Sequence, residues 1–460
     1  METNMKRNKH PVASLMRRSL LVSAVFAAVS AHAAVSGCGT SCTDYLRPNV
    51  EAVPLTQARI DASAGSLAKD FTTYLAASKK AMDADKATLR SERQGLSSVP
   101  KSRASDKSSP DTMPLSESSS YYAGSKALGI AKEIISFQTP AGGWAKNMPR
   151  TGALRLKGQS FSTYTVNPAT TAYEDWLWVG TLDNSATWTE LRYLAKVQGA
   201  QSSDRAAIQA SIVKGVNYLL NAQYPSGGWP QVYPLAGKYH DAVTINDDAM
   251  LSAIKLLREI GLNSNKDFSF LDASLRSKAA AAADKGVNWL LTNQVSINGK
   301  LTVWGQQHDA LTQKPTPART WEMAALTAQE SAKIMSFLMA LPSPDARTRA
   351  AVYGAADFFK ATQINNKKWS SGKFIDASGT NSWARFYDLA FYTPTDATVS
   401  KRARALFGDK PELHGSNEYG LVFTSLAAFP AESLGYAWYG STAQSVLTRF
   451  SDWSAKNARP

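Results

Sequence analysis

Cysteine is almost absent from this sequence, which has only two in 460 residues, Cys38 and Cys42. Four positions apart and close to the N-terminus, these two could pair in an oxidising compartment but could not staple a large fold. Because the rest of the chain has no cysteine, thiol catalysis and cysteine-ligated zinc are excluded for the main part of the protein.

The N-terminal apolar run, Leu20 to Ala34, is too short to cross a bilayer as a helix, which takes about 20 apolar residues. It follows five cationic residues and ends in the small-x-small site Ala31-His32-Ala33. This pattern predicts a signal peptide at residues 1–33 and a secreted protein, extracellular or periplasmic, with no transmembrane segment. As an alternative, Val35-Ser36-Gly37-Cys38 resembles a lipobox, which would anchor the protein through an acylated Cys38.

Negative charge is in deficit, since the formal net charge is +14. The chain stays basic without the predicted signal peptide. A basic exported protein could meet nucleic acid, an anionic membrane or an acidic polysaccharide. No RNA-binding, zinc-finger or helix-turn-helix signature favours nucleic acid, so none is expected as a partner.

Large apolar residues are nearly missing from residues 94–120, which are rich in Ser, Pro and charge. This composition predicts a flexible linker. Before it, residues 52–93 have helical spacing but are polar overall, and we interpret residues 34–93 as a helical or partly disordered extension. Residues 121–460 are long enough for one large core, so we expect a single main domain there, in a protein that is a monomer.

Clear alternating strands are few in this domain, whereas one pattern recurs at intervals of about 70 to 85 residues. An apolar helical segment ends in Gln, and a Trp follows, at Gln138/Trp144, Gln223/Trp229, Gln294/Trp304 and Gln363/Trp369. Such a period suits a pair of helices plus loops. It predicts an all-α fold, an (α/α) barrel or toroid of helical hairpins with loops at one end forming an open substrate groove.

Several segments of this domain are too polar and irregular to serve the repeat core alone. Asp183 and Asn184, like Asn246, Asp247 and Asp248, come just before helical patterns, so helix capping is one interpretation. Only one residue can be the cap, however, which leaves a second acid beside Asp247 to explain. Clustered carboxylate and amide oxygens are ligands that calcium prefers.

The polar segments occur in an order that resembles family 10 polysaccharide lyases of the pectate lyase type. The residues that carry the resemblance, within about 121–440, are Gly142-Gly-Trp-Ala-Lys-Asn147, Asp183-Asn-Ser-Ala-Thr187, Gly227-Gly-Trp-Pro-Gln231, Tyr239-His-Asp241, Asn246-Asp-Asp-Ala-Met250, Gln306-Gln-His-Asp309, Lys314-Pro-Thr-Pro-Ala-Arg319 and Trp383-Ala-Arg-Phe-Tyr-Asp-Leu389. The resemblance implies an (α/α) barrel enzyme that cleaves polygalacturonate by calcium-assisted β-elimination, with an arginine base and unsaturated oligogalacturonates as products.

The resemblance also implies roles for individual residues. Calcium would be held by Asp183 and by the Asp247-Asp248 pair, of which either member could be the ligand. Arg319 would be the base, although from the sequence alone an ion pair with Glu322 or Glu330 explains this arginine as well. The implied contacts to the substrate are Lys146, Asn184, His308, Arg385 and Lys410.

Two segments depart from the family pattern. Phe407-Gly-Asp-Lys410-Pro411 has lysine where the family usually has arginine, and lysine cannot form a bidentate pair with a carboxylate. Glu432-Ser433-Leu434 lacks two arginines that the family has next to its glutamate. Neither departure touches the implied base or calcium ligands.

Three alternative functions follow from the same residues. A toroid cyclase shares the Q-x-x-x-G-x-W repeat, but the export signal and the lack of an acidic D-x-D-D motif argue against it. A non-catalytic pectin-binding protein would explain the missing arginines. A glycoside hydrolase on a helical barrel would need two carboxylates that flank the glycosidic bond.

Overall fold

In this computed structural model, the described residues are 53–108, 112–163, 176–200, 204–319, 322, 324–370, 373–387, 389 and 439–460. They belong to one compact unit. The predicted signal peptide, both cysteines, Lys410 and residues 432–434 lie outside them. No helix of the described part is long and apolar enough to cross a membrane.

Helices dominate the described residues. Their bounds are α1 Gln57–Ser63, α2 Ala68–Arg93, α3 Ser119–Ala123, α4 Ser125–Ser136, α5 Trp188–Ala200, α6 Arg205–Ala222, α7 Ala249–Gly261, α8 Ala273–Thr292, α9 Gln329–Met339, α10 Ala346–Ala361 and α11 Thr442–Lys456. Helices α5 and α6 pack together, as do α7 with α8 and α9 with α10. These hairpins confirm the predicted all-α toroid.

The strands are two to four residues long and pair antiparallel, two by two. Strands β1 Val243–Thr244 and β4 Gln307–His308 form one pair, and β5 Leu326–Thr327 and β9 Phe386–Tyr387 form another. The other pairs are β2 Ser296–Ile297 with β3 Lys300–Leu301, β6 Lys367–Ser370 with β7 Lys373–Asp376, and β8 Trp383–Ala384 with β10 Tyr439–Gly440. The first two pairs join loops that carry predicted site residues.

Local sequence explains where the helices begin and which face they bury. Asp272 caps α8 by accepting a hydrogen bond from the Leu275 backbone N–H at 2.7 Å, and Asp345 caps α10 in the same way. Helix α7 is buried along Met250, Ile254 and Leu257, at the spacing of one helix face.

The glutamines of the repeat tie each helical hairpin to the next. Gln138 Nε2 donates to the carbonyls of Gly142 and Ser211, and Gln223 and Gln294 make the equivalent pairs of bonds at 2.8–2.9 Å. The second acceptor lies on α6, α8 and α10 in turn. These bonds support the structural interpretation of the repeat.

The tryptophans of the repeat donate their indole N–H to a carbonyl of the preceding helix. Trp144, Trp229 and Trp304 do so at 2.7–2.8 Å. In the fourth copy this bond is made by Trp383, to the Phe359 carbonyl, and the predicted Trp369 lies on β6 instead. The Gln363/Trp369 pair of the sequence pattern does not form this bond, because the hairpin β6–β7 is inserted between the end of the helix and Trp383.

The N-terminal extension, whose composition left its structure open, is helical and packed against the domain. Helix α2 buries Phe71, Tyr74 and Leu89, and the Tyr74 hydroxyl donates to the Ala222 carbonyl at 3.0 Å. Its packing explains why a polar sequence is ordered, since one face of the helix is apolar.

The segment predicted to be a flexible linker is also hydrogen bonded to the domain in its described part. The Asp106 N–H donates to the Asn147 carbonyl at 2.9 Å, and Gln159 Nε2 donates to the Lys101 carbonyl at 2.7 Å. Composition could not indicate this, because the bonds use main-chain groups that every residue carries.

Candidate active site

The two segments with predicted calcium ligands form short 3-10 turns, Asp183–Ser185 and Asn246–Asp248, that lie next to each other. Asn184, Asp247 and Asp248 have positive φ values of 47°, 51° and 58°. Asn and Asp tolerate this left-handed conformation better than most residues. Asp248 occupies the N-cap position of α7, but its side chain accepts no hydrogen bond from the helix, so the capping interpretation does not explain this acid.

Asp183 is buried, and Asp247, an exposed residue, places its carboxyl group beside it. Desolvation of the Asp247 carboxyl raises its pKa, and the charge of Asp183 raises it further. Asp183 Oδ2 forms an ion pair with Lys146 Nζ, whereas Asp183 Oδ1 is buried and has no hydrogen-bond donor among the described residues. A crowded acid pair with a buried oxygen that lacks a donor is an arrangement that a cation would stabilise.

Asp248 faces a different neighbour. Its Oδ2 forms an ion pair with Lys333 Nζ at 2.6 Å, on the second turn of α9. Burial lowers the pKa of Lys255, and the negative charge of Asp248 opposes this shift. The structure thus separates the two aspartates that the sequence left equivalent, with Asp247 beside Asp183 and Asp248 beside Lys333.

The carboxyl pair fits a hard divalent cation in donor type. Calcium takes six to eight oxygens from carboxylates, amides, carbonyls and water. In the described part of the chain, no group of three or more His, Cys, Asp or Glu side chains has a metal-binding arrangement. The remaining ligands would therefore have to be neutral oxygens or a carboxylate that comes with the substrate.

Arg385 lies behind this pair in a buried polar network. Its Nη2 donates to Asn246 Oδ1 at 3.0 Å and to Glu330 Oε1 at 3.3 Å. Gln306 Nε2 donates to the same Asn246 oxygen, and the Thr327 hydroxyl donates to Glu330. Arg385 lowers the pKa of Asp247, so its positive charge reaches the acid pair.

Lys146 provides the second cation at the acid pair. Its Nζ lies 4.6 Å from the centroid of the Trp178 ring, in a cation–π arrangement. Asn184, a predicted substrate contact, donates through Nδ2 to Asn147 Oδ1 at 2.8 Å and so joins this segment to the Asp183 turn. Two acids and two cations therefore lie together, as the polar segments of the sequence suggest.

Arg319 forms a two-pronged ion pair with Glu322. Its Nε and Nη2 donate to the two carboxylate oxygens at 2.6 and 2.7 Å. The Arg319 side chain is 40% exposed, whereas that of Glu322 is 2% exposed. Of the two ion pairs that the sequence offers as alternatives, Glu322 makes the one with Arg319, and Glu330 pairs with Arg385.

His308 is fully buried and bonded to the main chain through both ring nitrogens. Its Nε2 accepts from the Gly305 N–H at 3.0 Å, which leaves Nδ1 to donate to the Gln313 carbonyl at 2.8 Å. Burial lowers its pKa to about 4, so the ring is neutral at pH 7. His308 thus stabilises the loop after β4 through both ring nitrogens. Its contact with a substrate, which the resemblance implied, stays a prediction.

Four residues at the site were not predicted. Trp178 contacts Lys146 and lies edge-on to His240, with 5.6 Å between the ring centroids. Glu330 and Asn246 connect Arg385 to the acid pair. His240 and Asn246 belong to motifs that the sequence singled out, and Glu330 was considered there only as a partner of Arg319. Trp178 lies shortly before Asp183 in the sequence, but no pattern marks it.

A cavity of about 750 Å³ lies elsewhere, between α10 and the C-terminal residues, with Tyr353, Lys360 and Arg459 in its wall. None of the candidate site residues lines it. Its size alone does not make it the functional site, because the acid pair and the cations are far better suited to chemistry than this cavity, whose Arg459 is already paired with Asp357.

The family model described as pectic acid lyase matches residues 138–447 of this chain. Two similar solved structures are of a family 10 polysaccharide lyase from Cellvibrio cellulosa. One, a single-site mutant in complex with trigalacturonic acid, is 27% identical, covers 76% of this chain and 98% of its own, and has a TM-score of 0.56. The other is 27% identical, covers 75% and 97%, and has a TM-score of 0.57. No curated protein sequence matches the chain.

Proposed function

This chain belongs to the pectic acid lyase family, and from that premise we propose that it is a pectate lyase that cleaves α-1,4-polygalacturonate by calcium-assisted β-elimination. The observation that carries the proposal is the pair of facing carboxyl groups of Asp183 and Asp247, with Lys146 and Arg385 beside it. A polyuronate presents a carboxylate on every sugar. An acid pair that needs a cation, flanked by two cationic side chains, suits such a substrate.

The substrate class rests on charge and on the relatives. The similar Cellvibrio structure is in complex with trigalacturonic acid, and the basic balance of this chain suits an anionic polymer. We propose that the protein acts outside the cytoplasm as an exported monomer, after removal of residues 1–33. Lys410, which lies outside the described residues, would also contact a uronate carboxylate.

Calcium would be held by Asp183 and Asp247, and would supply positive charge to the uronate carboxylate when bound. Lys146 and Arg385 would orient that carboxylate and stabilise the negative charge that grows on it as the neighbouring carbon loses its proton. Arg319 would take this proton. The electron pair of the broken C–H bond then forms the new double bond, and the glycosidic oxygen leaves with the rest of the chain.

The Glu322 carboxylate affects the proposed role of Arg319 as the base in two ways. Its two hydrogen bonds fix the orientation of the Arg319 guanidinium, which a base requires. It also favours the charged form of the guanidinium, a group that is already strongly basic in solution. Only a small neutral fraction is then available, so we expect activity to rise toward alkaline pH.

The test is absorbance of unsaturated product from polygalacturonate, measured with calcium and with chelator. We expect product with calcium and none with chelator. Saturated reducing ends in place of unsaturated ones would indicate a hydrolase. The Arg319–Glu322 ion pair favours one second candidate, a pectin-binding protein without catalysis, because the guanidinium of the proposed base is already engaged by a carboxylate. Binding of polygalacturonate without product at any pH would establish that candidate.

A further inference from the structure

Two motif aspartates have no part in the proposed chemistry. Asp241 ends the Tyr239-His-Asp241 segment, and Asp309 ends the Gln306-Gln-His-Asp309 segment. Both carboxylates are instead bonded to residues 53–63 of the N-terminal extension, which we call the arm. The family match begins at residue 138, so the arm lies outside the matched residues.

Arg59, on α1, is the centre of this contact. Its Nη2 forms an ion pair with Asp309 Oδ2, although the two residues are 250 positions apart. Its Nη1 donates to the carbonyls of Val53 and Pro54, both at 3.0 Å. One guanidinium thus holds the loop after β4 and, at the same time, fixes the extended residues at the beginning of the arm.

The extended residues of the arm reach the second aspartate. The Leu55 N–H donates to Asp241 Oδ2 at 3.0 Å, and the Leu55 side chain is buried. The other Asp241 oxygen accepts from the Gly237 N–H at 2.9 Å, which closes the turn that carries His240. Tyr224 also stabilises this turn, since its hydroxyl donates to the Asp241 carbonyl at 2.6 Å.

Asp309 is also hydrogen bonded to the segment that ends at Arg319. Its Oδ1 accepts from the N–H groups of Leu311 and Thr312 at 3.0 and 2.9 Å. Its own N–H donates to the Lys314 carbonyl at 2.8 Å, and the Thr316 N–H then donates to the Gln307 carbonyl at 2.9 Å. These bonds determine the path of the main chain from Asp309 to Lys314, five residues before the proposed base.

We propose that the arm is a positioning element of the active site, and that Arg59 is a positioning residue that orients the Arg319 loop through Asp309. Asp241 and Asp309 are then the docking sites of the arm and contact neither substrate nor metal. The kinetic part of this inference rests on the proposed function. The structural part is that Arg59 keeps the loop 306–319 ordered, and it does not depend on the proposed function.

The test compares Arg59→Ala with the matched control Arg192→Ala in the full exported protein. Arg192 makes a two-pronged ion pair with Glu259, between α5 and α7, at 2.9 and 2.7 Å. The Arg59 and Arg192 side chains are similarly exposed, at 24% and 22%. Loss of either arginine should therefore lower the melting temperature by a similar amount, but only Arg59 is connected to the Arg319 loop.

Two measurements follow the change. Hydrogen exchange of peptides from 53–63 and 306–319 should become about tenfold faster in Arg59→Ala and stay as in wild type in Arg192→Ala. On polygalacturonate, kcat should fall at least about tenfold in Arg59→Ala with KM little changed, because a shift of the base of about 1 Å can cost on the order of 100-fold. In Arg192→Ala, kcat should stay within twofold.

Unchanged exchange of 306–319 in Arg59→Ala would overturn the proposal, as would a kcat that falls no further than in the control. If the wild-type protein makes no unsaturated product, the proposed function fails, and the exchange measurement alone decides on the arm. Should Arg59→Ala not fold, Arg59→Lys replaces it. This variant keeps a cation for Asp309 but loses the fork that also reaches Val53 and Pro54, so its exchange should lie between wild type and the values expected for Arg59→Ala.

Discussion

Lys146 and Asp183 form a buried ion pair at the site where a calcium ion is expected to bind. One Asp183 oxygen is bonded to the lysine, and the other has no donor in the part of the chain that the structure describes. A cation that binds this carboxylate competes with the ammonium for its charge. We therefore expect Lys146 to turn from Asp183 to a substrate carboxylate when cation and substrate bind together, which couples the two binding events.

The two neighbouring aspartates should differ in their effect on calcium. Asp247→Asn and Asp183→Asn should each weaken calcium binding at least tenfold by titration calorimetry, because each removes one of the two facing carboxylates. Asp248→Asn should stay within about threefold, since Asp248 is paired with Lys333 and a partly exposed pair is worth only about 1 kcal/mol or less. Equal losses in the three variants would mean that Asp248 is also a ligand. Helical circular dichroism should be unchanged throughout.

Arg319→Lys separates the base from a structural arginine. Lysine keeps the charge that an ion pair with Glu322 needs, but it moves the nitrogen and loses the fork. We expect kcat to fall on the order of 100-fold while KM and the melting temperature change little. A kcat within a few-fold of wild type would reassign the base.

His308 predicts how stability depends on pH. Burial lowers the pKa of His308 to about 4 in the folded protein, against about 6.5 in an unfolded chain. Below pH 6.5 the unfolded state therefore binds the additional proton. The contribution of His308 to the free energy of unfolding is therefore fully present above about pH 6.5. It decreases by about 3 kcal/mol as the pH falls toward 4.

Urea unfolding between pH 7 and pH 4 checks this prediction. The His308→Gln side chain cannot titrate. Between pH 7 and pH 4 the variant should therefore lose about 3 kcal/mol less free energy of unfolding than wild type loses. Parallel curves for the two proteins would show that His308 does not titrate in this way.

The repeat glutamines should differ according to their contacts. Gln294→Ala removes two hydrogen bonds and leaves the carbonyls of Thr302 and Ala351 without this buried donor, which should cost about 2–4 kcal/mol. Gln363, in the fourth copy, donates to the exposed Asn365 side chain instead. Gln363→Ala should change stability by about 0.5 kcal/mol or less in urea unfolding. Similar losses in the two variants would contradict the proposed difference between these copies.

The order of the motifs determined the family, and the helical repeat determined the fold class. Apolar spacing and the Gln–Trp pattern are local features, so they predict hairpins and turns without knowledge of the contacts. They gave three of the four Trp ties correctly. The fourth was missed because a strand hairpin separates Gln363 from Trp383, and a local pattern cannot show which of two tryptophans reaches back to the helix.

The tertiary structure decided how the site residues are paired. Asp247 and Asp248 are adjacent in sequence and chemically identical, and only their positive-φ turns direct one toward Asp183 and the other toward Lys333. In the same way, the fold pairs Arg319 with Glu322 and not with Glu330. It also brings Arg59 into contact with Asp309, which is 250 positions away in the sequence. The sequence contains the charges, but electrostatic energy depends on the distances and burial that the fold imposes.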